Sequence, residues 1–238
     1  MREKIKLLLK YLHLDVKKYN IAQNQELRLK KILENFNINV VYDVGANSGQ
    51  FGEELRMIQY SGNIVSFEPL NTAYNELLER AKRDVYWQVA DRTAIGDFNG
   101  FIDINIAGNL ASSSILKMND THIQAAPTTA TVGLEHVPIR TLDSLIDTFL
   151  SENSVLFIKI DTQGFEDKVL NGAGKTLERT KIVQMELSLV ELYSDQKLIL
   201  EMILRMKNLN FSLWGLEPAF IDSSTGRMLQ VDAIFVKD

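Results

Sequence analysis

From Asn39 onward, short apolar runs alternate along the chain with longer stretches whose apolar positions recur at helical spacing. The runs Val40–Val44, Ile64–Phe67, Val85–Val89, Val155–Ile160 and Ile182–Leu187 are predicted strands, with helices beginning near Gln50, Thr72, Glu166 and Asp195. Such alternation signals parallel β-α-β units. Phe211–Leu216 and Val231–Val236 are separated by Glu217–Gln230 without a long helical pattern, and read as an antiparallel hairpin closing the sheet. The predicted class is α/β. Phe101–Ile106 alternates apolar and polar residues and reads as an added edge strand. The Ser-, Thr-, Ala- and Asn-rich stretch Ala107–Glu135 shows no periodicity, which predicts a functional lid or a disordered segment.

Before the sheet pattern begins, Ile5, Leu8, Leu9 and Leu12 recur at helical spacing between Lys4, Lys6 and Lys10, and a second helix is predicted over Gln25–Asn35. Residues 1–33 hold nine Lys/Arg against three acids, a charge of +6, and the rest of the chain 17 against 28, or −11. Residues 1–38 are therefore expected to form a basic helical extension, and 39–238 a single domain. The first helix has two readings. It can attach to an anionic membrane surface through residues 1–20, or pack its apolar stripe on the domain, the commoner role. The acidic body argues against nucleic-acid binding, which needs phosphates neutralised by Lys and Arg.

Composition narrows the chemistry. At 45% hydrophobic and 24% charged residues, the 238-residue chain has the balance of a soluble globular protein. No apolar run near 18 residues and no cleavable leader are recognised, so a cytoplasmic location is expected, at the inner membrane face if the basic leader binds lipid. Zero cysteines remove disulfides, thiolate metal sites and cysteine nucleophiles, and three histidines leave little for a histidine-rich metal centre. Catalysis then falls to carboxylates, lysines, hydroxyls, a histidine or a cofactor.

The most specific local signal is Val41-Tyr42-Asp43-Val44-Gly45-Ala46-Asn47-Ser48-Gly49, a strand running into a glycine turn and then a helix. Gly45 and Gly49 let backbone approach a ligand closely, and Asn47 tolerates a left-handed conformation. The spacing departs from the dinucleotide fingerprint, and Asp43 would repel a pyrophosphate while suiting a cationic ligand. Ile64–Phe67 ends in Glu68-Pro69, an acid placed to accept hydrogen bonds from both hydroxyls of a ribose. Together, Asp43, Gly45, Asn47, Gly49, Glu68 and Pro69 point to S-adenosylmethionine. Asp91 and Ala94 are candidates for the adenine side.

At the reaction end, Phe157, Lys159 and Asp161 share one strand face, and a lysine inside a central strand requires a partner. Gln184 and Glu186 share a face of the next strand, and Asp232 adds a third acid at the same sheet edge if the end hairpin docks beside it. One reading has Asp161 or Glu186 take a proton from an acceptor hydroxyl while Lys159 sets the electrostatics. A second has Asp161, Glu186 and Asp232 hold Mg²⁺ or Ca²⁺. A third is a structural Lys159–carboxylate pair. His136 is a further candidate base. Glu166 and Thr141-Leu142-Asp143 suit helix starts.

This combination resembles the FkbM family of S-adenosylmethionine-dependent methyltransferases. The matching pieces are Asp43 to Gly49, Phe67-Glu68-Pro69, Ala94-Ile95-Gly96-Asp97 with Gly100, Arg140 to Asp143, Ile158 to Glu166 continuing through Val169 to Ala173, and Val231 to Val236. The resemblance implies a Rossmann-like, seven-stranded methyltransferase fold and O-methylation, often of sugar hydroxyls in glycans or of metabolite hydroxyls. Members often carry Glu-Gly-His-Glu after the Asp, where this chain has Gln163-Gly164-Phe165-Glu166; no base or metal ligand is assigned at 163 or 165. The competing readings are an NAD-dependent oxidoreductase on a similar sheet and a non-catalytic cofactor-binding module.

Overall fold

A computed structural model describes residues 19–238 and, before them, Leu9, Tyr11, Leu12 and Leu14. Most of the expected amphipathic leader helix lies outside the described residues. In chain order the strands are β1 (Val40–Val44), β2 (Asn63–Phe67), β3 (Trp87–Val89), β4 (Ala94–Ile95), β5 (Gly100–Ala107), β6 (Thr131–Arg140), β7 (Leu156–Ile160), β8 (Thr180–Ser188), β9 (Phe211–Pro218) and β10 (Gln230–Lys237). The main sheet has the order β3-β2-β1-β7-β8-β10-β9. Its first five members are parallel, and β10 lies antiparallel between β8 and β9. The terminal strands thus close the sheet as the pattern predicts, and Asp232 stands directly opposite Glu186.

Both faces of the parallel strands are covered, which is why they read as unbroken apolar runs. On one face Tyr42, Val44, Ile158, Ile160 and Met185 pack with Leu142, Val169, Leu170, Met202 and Met206. On the other, Val41, Ile64, Phe157 and Ile182 pack with Leu29, Ile32, Leu33, Leu55 and Leu77. Leu29, Ile32 and Leu33 belong to the helix Gln25–Asn35, whose Asn24 caps the first turn by accepting from the Leu27 amide. This helix is built into the covering layer of the sheet, so residue 38 does not mark a boundary in the packing.

Several expectations are corrected. Phe101–Ile106 does not extend the main sheet. As part of β5 it pairs with β6, which also pairs with β4, in a separate three-stranded sheet. Ile104, Val137 and Ile139 form that sheet's inner face with Leu70, Ala94 and Phe165, placing it over the carboxyl end of the main sheet. The stretch 107–135 is partly ordered into the helix Asp120–Ala125, a 3-10 turn Pro127–Thr129 and the start of β6. β3 begins at Trp87 because Val85 and Tyr86 remain exposed. The helix expected near Asp195 runs Ile199–Asn208, its amino end closed by Glu201 accepting from the Leu198 amide; Asp195 sits before it at φ 61°.

The chain proceeds outward from β1 to β3 on one side and from β7 to β8 on the other, which opens a crevice outside the carboxyl ends of β1 and β7. If the helix Gln25–Asn35 is integral to the fold, Leu33→Ala costs about 2–5 kcal/mol, the loss of a core leucine. Urea unfolding measures this, and an effect confined to a few tenths of a kcal/mol would mark the helix as a loosely attached appendage.

Candidate active site

The crevice is a cavity of about 590 Å³, within the size range of small-ligand sites. β1 ends in a turn where Gly45 and Asn47 take left-handed φ values of 76° and 49°, and Gly49 one of 95°. A Cβ on Gly45 would lie 2.0 Å from the Asp161 carbonyl oxygen, so only glycine lets the β1 and β7 carboxyl ends pass this closely. Gly49 instead packs on Trp87 and Leu77, behind the cavity wall. Glu68 follows β2. Its Oε2 accepts the Asn47 amide at 2.8 Å and its Oε1 the Leu70 amide at 2.9 Å, which fixes the carboxylate against the turn and leaves each oxygen further acceptor capacity. Burial pushes the Glu68 carboxyl up to about 7 despite those two amides.

Asp43 and Lys159 are register partners on β1 and β7. Asp43 is wholly buried, neither oxygen has a hydrogen-bond donor, and Lys159 Nζ lies 3.6 Å from Oδ1. Burial raises the Asp43 carboxyl, and Lys159 partly offsets this. Lys159 also donates to Asp161 Oδ2 at 3.1 Å and rests 5.3 Å above the Phe51 ring. Burial alone would lower the Lys159 ammonium, but Asp161 and Asp43 outweigh it and hold it above its ordinary value.

Beyond Asp161, Gln163 at φ 53° turns its side chain between two acids. Its Nε2 donates to Asp161 Oδ1 at 2.8 Å and to Glu186 Oε2 at 2.7 Å. Gln230 donates to the same Glu186 oxygen at 2.8 Å. Burial, then Asp161 and Asp232, drive the Glu186 carboxyl well above the usual range, and burial with Asp161 pushes Asp232 up to about 6. Glu166 staples the turn from below, its Oε1 accepting the amides of Thr162 and Gly164; burial raises it to about 7.

Gly45, Asn47, Glu68, Pro69, Ala94, Lys159, Asp161, Glu186 and Asp232 thus all line one cavity, with Asp43 behind its turn. Three expected residues do not join them: Gly49 packs behind the wall, and Asp91 and His136 lie outside it. Asp91 is exposed, and Thr93, Ala94 and Ile95 form the wall there. His136 lies on the outer face of the three-stranded sheet, two-thirds exposed, hydrogen-bonded to Asp103 at 2.7 Å and stacked on Phe101. It is no base for this cavity. The expected cation site is not supported either. Among the described residues no group of three or more His, Asp or Glu side chains is arranged to hold a metal, and the Gln163 amide occupies the space between Asp161 and Glu186.

Sequence reasoning assigned no role to Gln163 or Gln230, and placed Gln184 on the Glu186 face of its strand without giving it one. Residues 109–115 and His122 of the cavity wall fall within the stretch 107–135 read as a lid or a disordered segment, whereas Gln25, Arg28 and Leu29, contributed by the helix assigned to an extension, were missed. Arg28 and Glu217 of β9 form a bidentate ion pair at this wall, with Nη2 2.6 Å from Oε2.

The raised carboxyls fix the pH dependence of the ligand-free protein. Glu68, Glu166 and Asp232 keep protons in the fold that they would release when unfolded, so stability falls as pH rises from about 4.5 to 7. Thermal unfolding is expected at higher temperature near pH 5 than near pH 8, and Glu68→Gln should flatten the slope. A melting point that rises over this interval would contradict the arrangement.

Comparison with known proteins gives the following. No curated protein matches the chain. The methyltransferase domain of bacterial CtHen1-C aligns with a TM-score of 0.50 at 11% identity, over 92% of this chain and 99% of that one, and shares the fold. Magnesium protoporphyrin IX methyltransferase from Synechocystis, solved with bound S-adenosylmethionine, aligns at 0.45 with 7% identity over 100% and 91%. An rRNA methylase from Streptococcus thermophilus aligns at 0.47 with 9% identity over 90% and 97%. The profile of the methyltransferase FkbM domain matches residues 43–213, from the β1 acid into β9 and through most of the cavity wall. The chain belongs to the FkbM methyltransferase family.

Proposed function

We propose that the protein transfers a methyl group from S-adenosylmethionine to a hydroxyl, with a sugar of a glycan or glycosylated metabolite as the acceptor class. The observation that carries this reading is one cavity lined both by a left-handed glycine turn tied to a carboxylate and by Lys159, Asp161, Glu186 and Asp232.

The residues fit the cofactor. Asp43 is a buried carboxylate without a hydrogen-bond donor, behind a turn that suits a ligand carrying ammonium and sulfonium charge. Glu68 has acceptor capacity left for two ribose hydroxyls, and Pro69, Leu70 and Thr93 to Ile95 offer an apolar slot for a base. When bound, the cofactor supplies an electrophilic methyl on a positively charged sulfur. The chain's own groups do the rest. Asp161, Glu186 and Asp232 offer carboxyl oxygens to acceptor hydroxyls, while Lys159 orients Asp161 by donating to its Oδ2. Polar side chains that mostly accept hydrogen bonds suit a polyhydroxyl acceptor, which brings the donors. An NAD-dependent oxidoreductase falls outside the family to which the chain belongs.

Two variants test the assignment. Glu68→Ala should weaken S-adenosylmethionine and S-adenosylhomocysteine binding about 10²- to 10⁴-fold, the value of two lost hydrogen bonds to a charged group; equal calorimetric affinities for variant and wild type would remove Glu68 from this role. Asp161→Asn should keep cofactor affinity and lower turnover by about 10²-fold, the scale of one electrostatic contact. Unchanged methylation of a glycan panel would take Asp161 out of the reaction.

A further inference from the structure

Asp161 is held by Lys159 and Gln163, and Glu186 by Gln163 and Gln230. A further proton acceptor on the wall makes no side-chain hydrogen bond. His122, on the helix Asp120–Ala125, is 3% exposed yet lines the cavity. Its Nδ1 is buried without a hydrogen-bond partner.

The ring's position is fixed from several sides. It meets Tyr193 edge-on at 5.2 Å and Phe220 at 5.3 Å. The helix is anchored to the loop carrying Tyr193, with the Asn119 amide donating to the Leu192 carbonyl at 2.8 Å and Ser194 Oγ donating to Asn119 Oδ1 at 3.0 Å. Tyr193 in turn reaches Gln163 Oε1 at 2.8 Å. The imidazole therefore stands one tyrosine away from the glutamine that bridges Asp161 and Glu186.

We propose that His122 is the general base of the transfer, an inference that rests on the O-methyltransferase reading. The acceptor O–H bond breaks and its electron pair remains on oxygen. An oxygen lone pair forms the O–CH₃ bond, the methyl–sulfur pair stays on sulfur, and the proton passes to the His122 ring. A positive charge is lost at sulfur as one appears on the imidazole, so the net charge of the acid-lined cavity does not change during the step. Of the groups packed on the ring, Tyr193 is titratable and Phe220 is not. Asp120 lies on the same helix, and Asp161 and Glu186 are reached through Tyr193 and Gln163. Burial is the cause that lowers the imidazole below its ordinary value, so it rests neutral and ready to accept a proton near pH 7.

The test measures release of S-adenosylhomocysteine with a panel of methyl glycosides as acceptors, or with water where none is used. His122→Gln should lower turnover about 10²- to 10⁴-fold, the contribution of a general base, with cofactor affinity by calorimetry unchanged. His122→Phe should be equally inactive, and added imidazole should restore turnover to His122→Gly. Ring ¹⁵N spectra of the ligand-free wild type should show neutral His122 at pH 6.5. Active His122→Phe, undiminished turnover in His122→Gln, or an imidazolium signal at pH 6.5 would overturn the proposal, as would failure of imidazole to rescue a folded His122→Gly. Should His122→Gly not fold, the Gln and Phe variants decide, because a packing role predicts an active Phe variant. Lack of cofactor binding by the wild type would sink the methyltransferase reading itself, whereas intact binding with unaffected His122 variants removes only the base.

Discussion

The structure depends on a lysine buried between two carboxylates at the seam of the sheet. β1 and β7 are neighbours in space although more than a hundred residues apart in sequence, and Asp43 and Lys159 face each other across that seam. Removing Lys159 would leave Asp43 as an uncompensated buried charge, a defect of about 3–5 kcal/mol in comparable sites. The same ammonium reaches Asp161, whose carbonyl lies against Gly45. One cation thus ties together the strand pairing, the close approach at the turn and the orientation of the first acid in the cavity.

Much of this was legible from residue patterns. The apolar runs at 40–44 and 156–160 are long enough and pure enough to mark strands covered on both faces, and a lone Lys159 within one of them announces a buried partner. Asp43, Gly45, Asn47 and Glu68 were readable because each position asks for something few residues supply: a left-handed backbone or a carboxylate at a strand end. What escaped notice escaped for physical reasons. β6 carries Gly133 and Pro138, which weaken a strand reading, and its pairing with β5 and its cover of Leu70 and Phe165 make it a strand. The helix Gln25–Asn35 looked like part of a basic leader because charge was averaged across it, while Leu29, Ile32 and Leu33 on its inner side decide where it packs. His136 was visible as a histidine after an irregular stretch, but strand alternation turns it outward. Nothing in the local sequence distinguishes His122, which enters the wall through a short helix whose placement is set by Tyr193 and Phe220.

The cavity also has an uneven origin. Its turn, its strand-end acids and its lid fall within residues 43–213 that define the family match, whereas Arg28 and Leu29 come before that span, and Glu217, Phe220, Gln230 and Asp232 come after it. The Arg28–Glu217 pair joins the two outer contributions to each other. Part of the cavity wall is therefore built by residues outside the span of the family match.

The placement of β10 has a consequence for how the protein is made. Because β10 lies between β8 and β9, the earlier-translated β9 has no strand to pair with until residues 230–237 have left the ribosome. Asp232 and Gln230 arrive with the same segment. During translation the nascent chain can assemble β1, β2, β3, β7 and β8, yet β8 meanwhile presents an unpaired edge, the kind of surface that invites association with other chains. Synthesis of the last strand of the sheet therefore closes a sticky edge and completes the cavity in one event, so a ribosome that stalls before residue 230 leaves a chain that is both inert and prone to aggregate.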